Sequence, residues 1–301
     1  MDHRNLLHHC QYIALNGNVL SIEERAALQS SLTLLKNENH FYKTVYWGKV
    51  TGTTNDYHIA QGYTGSILGK RTSFYSSDQG VSWNQIVSNI KSDDIQYIEN
   101  IRGYFVGDPS YAYVIPKILT PEEKQKLEQQ MQQKQLDEDG NEIEDEEKPK
   151  VEVQTVSIIE EKRLAYLIQS IDHDTSVVPR GVYLLKVNEE VVPNDLFTGL
   201  DKHQSGKLCN YLHMRKPENL ALKDLLQKEH LSQSLDFADP IDEDAPNKCW
   251  CLQYDDSYSV VLGKSLLWPG YVFYHCPNTS VYGSYYVGNG CKNLDLCFMT
   301  A

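Results

Sequence analysis

The sequence predicts an α+β fold, in which an N-terminal helical hairpin precedes a mixed, largely antiparallel β-rich body with short helices and an acidic insertion. Apolar residues recur at helical spacing over the first 40 residues. From residue 41, β-branched and aromatic residues alternate with polar ones, and a charged stretch interrupts this pattern. We expect four segments: an N-terminal helical segment at 1–40, a first β-rich part at 41–120, the acidic insertion at 121–150 and a second α+β part of the same body at 151–301.

Two helices are predicted before residue 40. The first covers residues 5–15 and ends where Asn16, Gly17 and Asn18 break the helical pattern. The second begins at a capping box formed by Ser21 and Glu24, which lie three residues apart. Leu28, Leu32 and Leu35 then follow on one face, so the two helices can pack as a hairpin.

The β-rich parts follow from alternation and from turn residues. A hairpin is predicted with strands at 41–50 and 57–63, followed by strands at 72–77 and 101–106 and a short helix at 83–90.

Beyond residue 150 we expect a helix at 158–171, a strand pair at 181–192, helices at 203–213 and 220–230, and a final fifty residues that are almost entirely β. Within those fifty, residues 265–275 form the longest apolar and aromatic run. Pro269 and Gly270 allow a sharp turn there, so the core is expected to close around this element.

Composition excludes several classes of function. The net charge of −13 argues against nucleic-acid binding as the main function. No apolar run is long enough to span a bilayer, and the N-terminus lacks the pattern of a signal peptide, so no membrane association is expected. The seven cysteines are an odd number in a long chain, which indicates reduced thiols in the cytoplasm.

The stretch at 121–150 carries 11 acidic and 5 basic side chains, a net charge of −6, and it is expected to be a solvated, mobile insertion. Part of it, residues 137–148, is superficially similar to a calcium-binding loop. However, Glu142 stands where the loop needs glycine, and Lys148 stands where it needs a bidentate glutamate. A solvated acidic loop is therefore favoured over a calcium site.

No stretch carries a recognisable catalytic or cofactor motif. Cys249 and Cys251 lie two apart, but the paired Cys-x-x-Cys spacing of zinc sites is absent. The predicted cofactor, catalytic and metal sets are therefore empty. Two alternatives stay open from the residues alone: a soluble enzyme whose site is assembled from dispersed residues, and a calcium-responsive regulatory module.

Eight stretches, in order along nearly the whole chain, carry a family resemblance. They are VYWGKV at 45–50, DYHIAQG at 56–62, GDPSYAY at 107–113, PRG at 179–181, SLDF at 234–237, SLLWPGYVFYH at 265–275, YGSYYVG at 282–288 and KNLDL at 292–296. Together they resemble the radial spoke head protein 9 family of the ciliary and flagellar axoneme. The pieces at 47–49 and 56–60 are also similar to the related spoke head proteins 4 and 6.

The resemblance implies a structural, cytoskeletal subunit of the radial spoke head. In that family the head relays mechanical signals between the central pair and the doublet-bound dyneins, which regulates ciliary and flagellar motility. The implied partners are spoke head 4/6-type proteins, spoke stalk proteins and, through the assembled head, the central pair apparatus. The resemblance implies no cofactor and no catalytic residue, so the chain is expected not to be an enzyme.

The aromatic residues are the remaining candidates for function. Tyrosine is unusually common, with 20 residues against 7 Phe and 4 Trp, and tyrosine suits both half-buried sheets and protein interfaces. Trp47, Tyr57, Trp268 and Tyr271 are therefore expected to be either core residues or interface hot spots.

Overall fold

The computed structural model describes residues 1–65, 68–69, 71–87, 89–117, 155–218, 232 and 234–299. The acidic insertion at 121–150 and the helix expected at 220–230 lie outside the described residues.

The described residues form six α-helices and fourteen strands. The helices are α1 Leu6–Ala14, α2 Ile22–Glu38, α3 Ser92–Asn100, α4 Glu160–Thr175, α5 Lys202–Ser205 and α6 Leu296–Met299. The strands are β1 Lys43–Val50, β2 Tyr57–Tyr63, β3 Arg71–Ser76, β4 Asn84–Gln85, β5 Ala112–Pro116, β6 Thr155–Ile159, β7 Val177–Pro179, β8 Tyr183–Leu185, β9 Val191–Pro193, β10 Tyr211–His213, β11 Trp250–Asp255, β12 Val260–Ser265, β13 Tyr271–His275 and β14 Tyr282–Gly288. This arrangement confirms the predicted α+β class. None of the helices among the described residues is long and apolar enough to cross a membrane.

An eight-stranded sheet forms the centre, in the order β11-β12-β13-β14-β1-β2-β3-β4. The strands at 43–63 and those at 250–288, far apart in sequence, meet where β1 pairs with β14. That pair is parallel, whereas all the other neighbours in this sheet are antiparallel. Three two-stranded sheets, β5-β6, β7-β10 and β8-β9, surround it.

Both faces of the sheet are covered, so consecutive residues of its central strands are buried. All five residues of β13 are buried. Tyr271 and Phe273 belong to a core cluster shared with α4, whereas Val272 and Tyr274 belong to a second cluster shared with α1 and α2. The alternation of side chains along a strand therefore supplies two cores from one sheet.

The N-terminal helices form as predicted. Ser21 caps α2 and forms a capping box with Glu24. Leu28, Leu32 and Leu35 are buried against the sheet. The predicted hairpin of β1 and β2 and the strand pair of β8 and β9 are also confirmed.

Three predicted elements were wrong. Residues 83–90 contain β4 rather than a helix, because Asn84 and Gln85 pair with β3; the helix begins later, at Ser92. Residues 203–213 do not form one helix: the four-residue helix α5 ends at Ser205, a 3-10 turn covers Leu208–Asn210, and Tyr211–His213 pairs with β7. Residues 101–106 form a loop with an isolated bridge from Phe105 to Gly52 rather than a strand. In the first two cases tertiary strand pairing outweighed the local pattern.

Gly48 lets β1 and β14 approach each other. The register of the β1–β2 pair shifts between Tyr46 and Gly48, and Gly48 has a φ of 151°. A Cβ atom on Gly48 would lie 2.0 Å from the backbone oxygen of Tyr286. Only glycine therefore permits the single pairing that joins the two halves of the sheet.

The Gly48→Ala substitution is expected to lower the free energy of unfolding by about 2–3 kcal/mol, because the methyl group would collide with backbone that cannot move aside. Gly65→Ala is the matched control, since a Cβ at Gly65 meets no atom within 4 Å. Urea unfolding of both variants measures the difference. Equal stability of the two variants would contradict the role assigned to Gly48.

His275, at the end of β13, is fully buried as a neutral ring. Its Nε2 atom accepts a hydrogen bond from the backbone N–H of Leu200 at 3.1 Å, so Nδ1 carries the proton and donates to the carbonyl of Val281 at 3.2 Å. Burial lowers the pKa of His275 from 6.5 to about 4. Burial likewise lowers the pKa of His9 to about 4.

Stability is therefore expected to fall as the pH is lowered from about 6.5 to about 4, because the unfolded chain binds protons that the folded chain excludes. For each of these histidines the loss at pH 5 is about 2 kcal/mol. Urea unfolding at pH 7.5 and 5 checks the loss, and the ring proton resonances of His275 should not shift between these values. Titration of His275 near pH 6.5 in the folded chain would disprove this account.

Candidate functional site

The four aromatic residues singled out from the sequence share one face of the sheet. Trp47, Tyr57, Trp268 and Tyr271 all belong to the core cluster that also contains α4, and none exposes more than 7% of its surface. Each of them makes a hydrogen bond to α4 or to the residues directly after it. Within this chain they are core residues, and their polar atoms attach the sheet to the helix that covers it.

Glu160, the first residue of α4, is completely buried and is the centre of the strongest of these attachments. Its Oε1 atom accepts hydrogen bonds from the hydroxyl of Tyr57 at 2.7 Å and from the N–H of Gly107 at 2.8 Å. Its Oε2 atom accepts from the N–H of Val106 at 2.8 Å and from the hydroxyl of Tyr113. A carboxylate out of contact with water needs such a complete set of donors.

The neighbouring Arg163 adds a second connection to the same loop. Its guanidinium donates to the carbonyl of Gly103 at 2.6 Å and to the hydroxyl of Tyr113 at 3.0 Å, and it lies 4.2 Å from the ring centre of Phe105. Glu160 and Arg163 together join α4, strand β2 and the loop around residues 103–107. Burial, followed by the hydrogen bond to Glu160, raises the pKa of Tyr57 far above its ordinary value.

Asp172, in the last turns of α4, binds the sheet in the same way. Its Oδ1 atom accepts a hydrogen bond from the indole N–H of Trp47 at 2.7 Å, and its Oδ2 atom accepts one from the side-chain amide of Gln61 at 2.5 Å. The guanidinium of Arg71 lies 3.6 Å from Oδ2 and also donates to the hydroxyl of Ser176. This carboxylate therefore contacts β1, β2 and β3 at once.

Asp174 holds the Trp-Pro-Gly turn of the sequence run at 265–275. Its Oδ2 atom accepts the indole N–H of Trp268 at 2.8 Å and the ammonium of Lys292 at 2.9 Å. Burial acts to raise the pKa of Asp174, but the hydrogen bonds from Trp268, Lys292 and His173 outweigh it and hold this pKa below its ordinary value. The carboxylate therefore stays ionised at neutral pH.

This arrangement stabilises structure and offers little for chemistry. The oxygens of Glu160, Asp172 and Asp174 are occupied by protein donors. No three His, Cys, Asp or Glu residues in the described part of the chain form a group that could hold a metal ion. All seven cysteines are free, and burial raises the pKa of Cys249 to about 12. The calcium-like stretch at 137–148 lies outside the described residues.

Sequence reasoning found the aromatic partners but missed their carboxylates. A signal for Glu160 did exist, because Glu160 lies on the stripe of α4 that continues with Leu164, Leu167 and Ile171, all of them buried. An acidic residue on a buried stripe indicates a paired carboxylate. Asp172 and Asp174 carried no such signal, since polar residues at a helix end are usually exposed.

A cleft of about 440 Å³ lies beside Asp172 and Arg71. Its walls come from residues 1–5, the first half of β1, the first half of β14 and the small sheets around Val177 and Tyr183. Trp47 and Tyr271 form part of its floor.

The Glu160→Gln substitution is expected to lower the free energy of unfolding by about 2–3 kcal/mol, because its amide nitrogen would face donors in place of a charged acceptor. Glu161→Gln is the matched control, since within the described residues the Glu161 carboxylate accepts one long hydrogen bond, from Val87 N at 3.3 Å. The Glu161→Gln substitution should lower the free energy of unfolding by no more than about 0.5 kcal/mol. Urea unfolding compares the two, and similar losses would show that Glu160 is not an anchor.

Comparison with known proteins places these features in a family. The family model described as "Radial spokehead-like protein" matches residues 1–168. Over 299 aligned residues, covering 99% of this chain and 100% of each relative, the chain is 39% identical to the "Radial spoke head protein 9 homolog" of Danio rerio, 36% identical to that of Bos taurus and 34% identical to that of Homo sapiens.

These matches confirm the family resemblance carried by the eight sequence stretches, and with it the predicted axonemal setting. The chain belongs to the radial spokehead-like protein family, whose members are radial spoke head components of the cytoskeletal axoneme in cilia and flagella.

Proposed function

We propose that the chain is a non-catalytic structural subunit of the radial spoke head. The assembled head relays mechanical signals between the central pair and the doublet-bound dyneins, and this relay regulates the beat of cilia and flagella. The observation that carries the proposal is the match over the full length of three relatives that are each named radial spoke head protein 9 homolog.

The structure supports a mechanical role. A body that transmits force must resist deformation, and well-packed interiors have low compressibility. The central sheet is covered on both faces, and α4 is attached to it through Glu160, Asp172 and Asp174. These charge-assisted hydrogen bonds join segments that lie 94 to 125 residues apart in the chain.

The proposed partners are spoke head 4/6-type proteins, with the spoke stalk proteins and the central pair reached through the assembled head. Family membership supports association with other radial spoke components. The stretches at 47–49 and 56–60, which resemble spoke head proteins 4 and 6, favour a related fold in those partners. The domain division also stays a proposal, with the two β-rich parts joined into one body by the pairing of β1 and β14.

Deletion of the gene is expected to leave axonemes assembled but to remove spoke head 4/6-type proteins from them and to produce an abnormal beat. Mass spectrometry of isolated axonemes and high-speed video measure the two effects. Dynein content should stay unchanged, because the proposed defect lies in signalling rather than in the motors.

Rescue with the Gly65→Ala variant should restore the beat, whereas the Gly48→Ala variant should restore less, in proportion to its folded fraction. A deletion strain with complete spoke heads and normal motility would refute the proposed function.

A further inference from the structure

The pairing of β1 and β14 leaves a gap in the middle of the sheet. The two strands pair only through Gly48–Val50 and Tyr286–Gly288, so their first halves separate. The chain's own first residues enter this gap. The carbonyl of Met1 accepts the N–H of Tyr46 at 2.8 Å, and Asp2 forms an antiparallel bridge with Val45. The inner end of the gap therefore already holds an extended backbone.

The rest of the gap is the cleft of about 440 Å³ described above. Its wall carries several tyrosines whose rings present large surfaces and whose side chains have few rotatable bonds, as in many peptide-binding sites. They are Tyr42, Tyr63, Tyr183 and Tyr282. Tyr42 stands at the rim with 65% of its surface exposed, and the hydroxyls of Tyr183 and Tyr282 lie 3.2 Å apart.

Charge in the cleft differs from charge elsewhere on the molecule. Arg4, Lys43 and Arg71 line it together with two acids, Asp2 and Asp172, so it is slightly cationic in a chain whose net charge is −13.

The acids in the cleft are engaged and Arg71 is paired with Asp172 and Ser176, whereas Arg4 and Lys43 are only weakly neutralised. Asp172 accepts hydrogen bonds from the side chains of Trp47 and Gln61, and Asp2 accepts one from the backbone N–H of Arg4 at 3.0 Å. The ammonium of Lys43 lies 3.9 Å from Asp2. The guanidinium of Arg4 makes no hydrogen bond or ion pair with the part of the chain that the structure describes. A group entering the cleft would therefore meet available positive charge beside aromatic surface.

We propose that this cleft binds an extended peptide segment of another protein, with an acidic side chain next to an aromatic or aliphatic one. The acidic side chain pairs with Arg4 and Lys43 at the rim, and the apolar side chain packs against the tyrosines. The peptide backbone lies beside Tyr282 and Gly283 at the start of β14, as added strands do in other recognition domains, because the carbonyl of Ser284 already accepts a hydrogen bond from the amino group of Met1 at 3.3 Å. The inference rests on the proposed function in taking its partner from the other radial spoke proteins.

The test uses the purified full-length chain and an array of overlapping peptides that cover the other radial spoke proteins of the same organism. The affinities of peptides that bind are then measured by fluorescence anisotropy. Bound peptides should contain Asp or Glu beside an apolar residue, with dissociation constants below about 100 µM. Replacing that acid by its amide should weaken binding about tenfold.

Protein variants test the position of the site. The double substitution Arg4→Glu/Lys43→Glu should weaken binding about tenfold or more, and Tyr42→Ala should weaken it by a smaller factor. The control Lys91→Glu/Lys207→Glu makes the same charge change at exposed positions outside the cleft and should leave affinity within about twofold. Circular dichroism and thermal unfolding verify that each variant is folded.

Three results would overturn the inference: an array on which no peptide binds, binding that prefers neutral or basic peptides, and affinity unchanged by Arg4→Glu/Lys43→Glu. Competition by free glutamate with equal potency to a bound peptide would also overturn it, since a small carboxylate would then suffice. Co-purification of the wild-type chain with spoke head 4/6-type proteins tests the proposed function separately. If co-purification succeeds and peptide binding fails, only the inference about the cleft is lost.

Discussion

Three carboxylates on one helix hold the central sheet in place. Glu160, Asp172 and Asp174 bind Tyr57, Trp47 and Trp268, which come from strands or turns at both ends of the sequence. Burying an ionised carboxylate costs free energy unless hydrogen-bond donors surround it. Replacing one of these donors therefore leaves the buried carboxylate without a partner and destabilises the fold. On the face of the sheet toward α4 these three carboxylates all have hydrogen-bond donors, and this makes the packing there specific as well as stable.

The same constraint explains why the molecule suits a structural assembly. The sheet is built from strands at 43–85 and 250–288, and among the described residues the short parallel pairing at Gly48–Val50 joins them. The helix α4, which lies between the two groups in sequence, reinforces that contact by binding both. At the β11 edge of the sheet, the indole N–H of Trp250 likewise donates a hydrogen bond to the carboxylate of Asp244 at 2.7 Å. Where β1 and β14 separate, the sheet leaves a cleft at its centre instead of a sealed core.

Elements governed by local patterns could be predicted from the sequence, whereas those governed by distant contacts could not. A capping box is a local pattern, so Ser21 and Glu24 predict the start of α2. The alternation of residue types along the strands likewise predicts the β1–β2 hairpin. Tyr211–His213 forms a short strand because it pairs with β7, so the helix predicted from the local pattern was wrong. The four aromatic candidates were found by residue type. The carboxylates that bind them depend on the packing of α4 against segments 94 to 125 residues away, and the gap beside Gly48 depends on a β1–β14 pairing between residues more than 230 positions apart.

The most direct test of the account is the position of this chain in the axoneme. Cells that lack the native gene would express the chain fused to a dense tag, and cryo-electron tomography with averaging of the spokes would locate the added density. The account predicts extra density in the spoke head, at the end of the spoke that faces the central pair. Density confined to the doublet, the stalk base or the cell body, in cells whose beat the fusion restores, would contradict it.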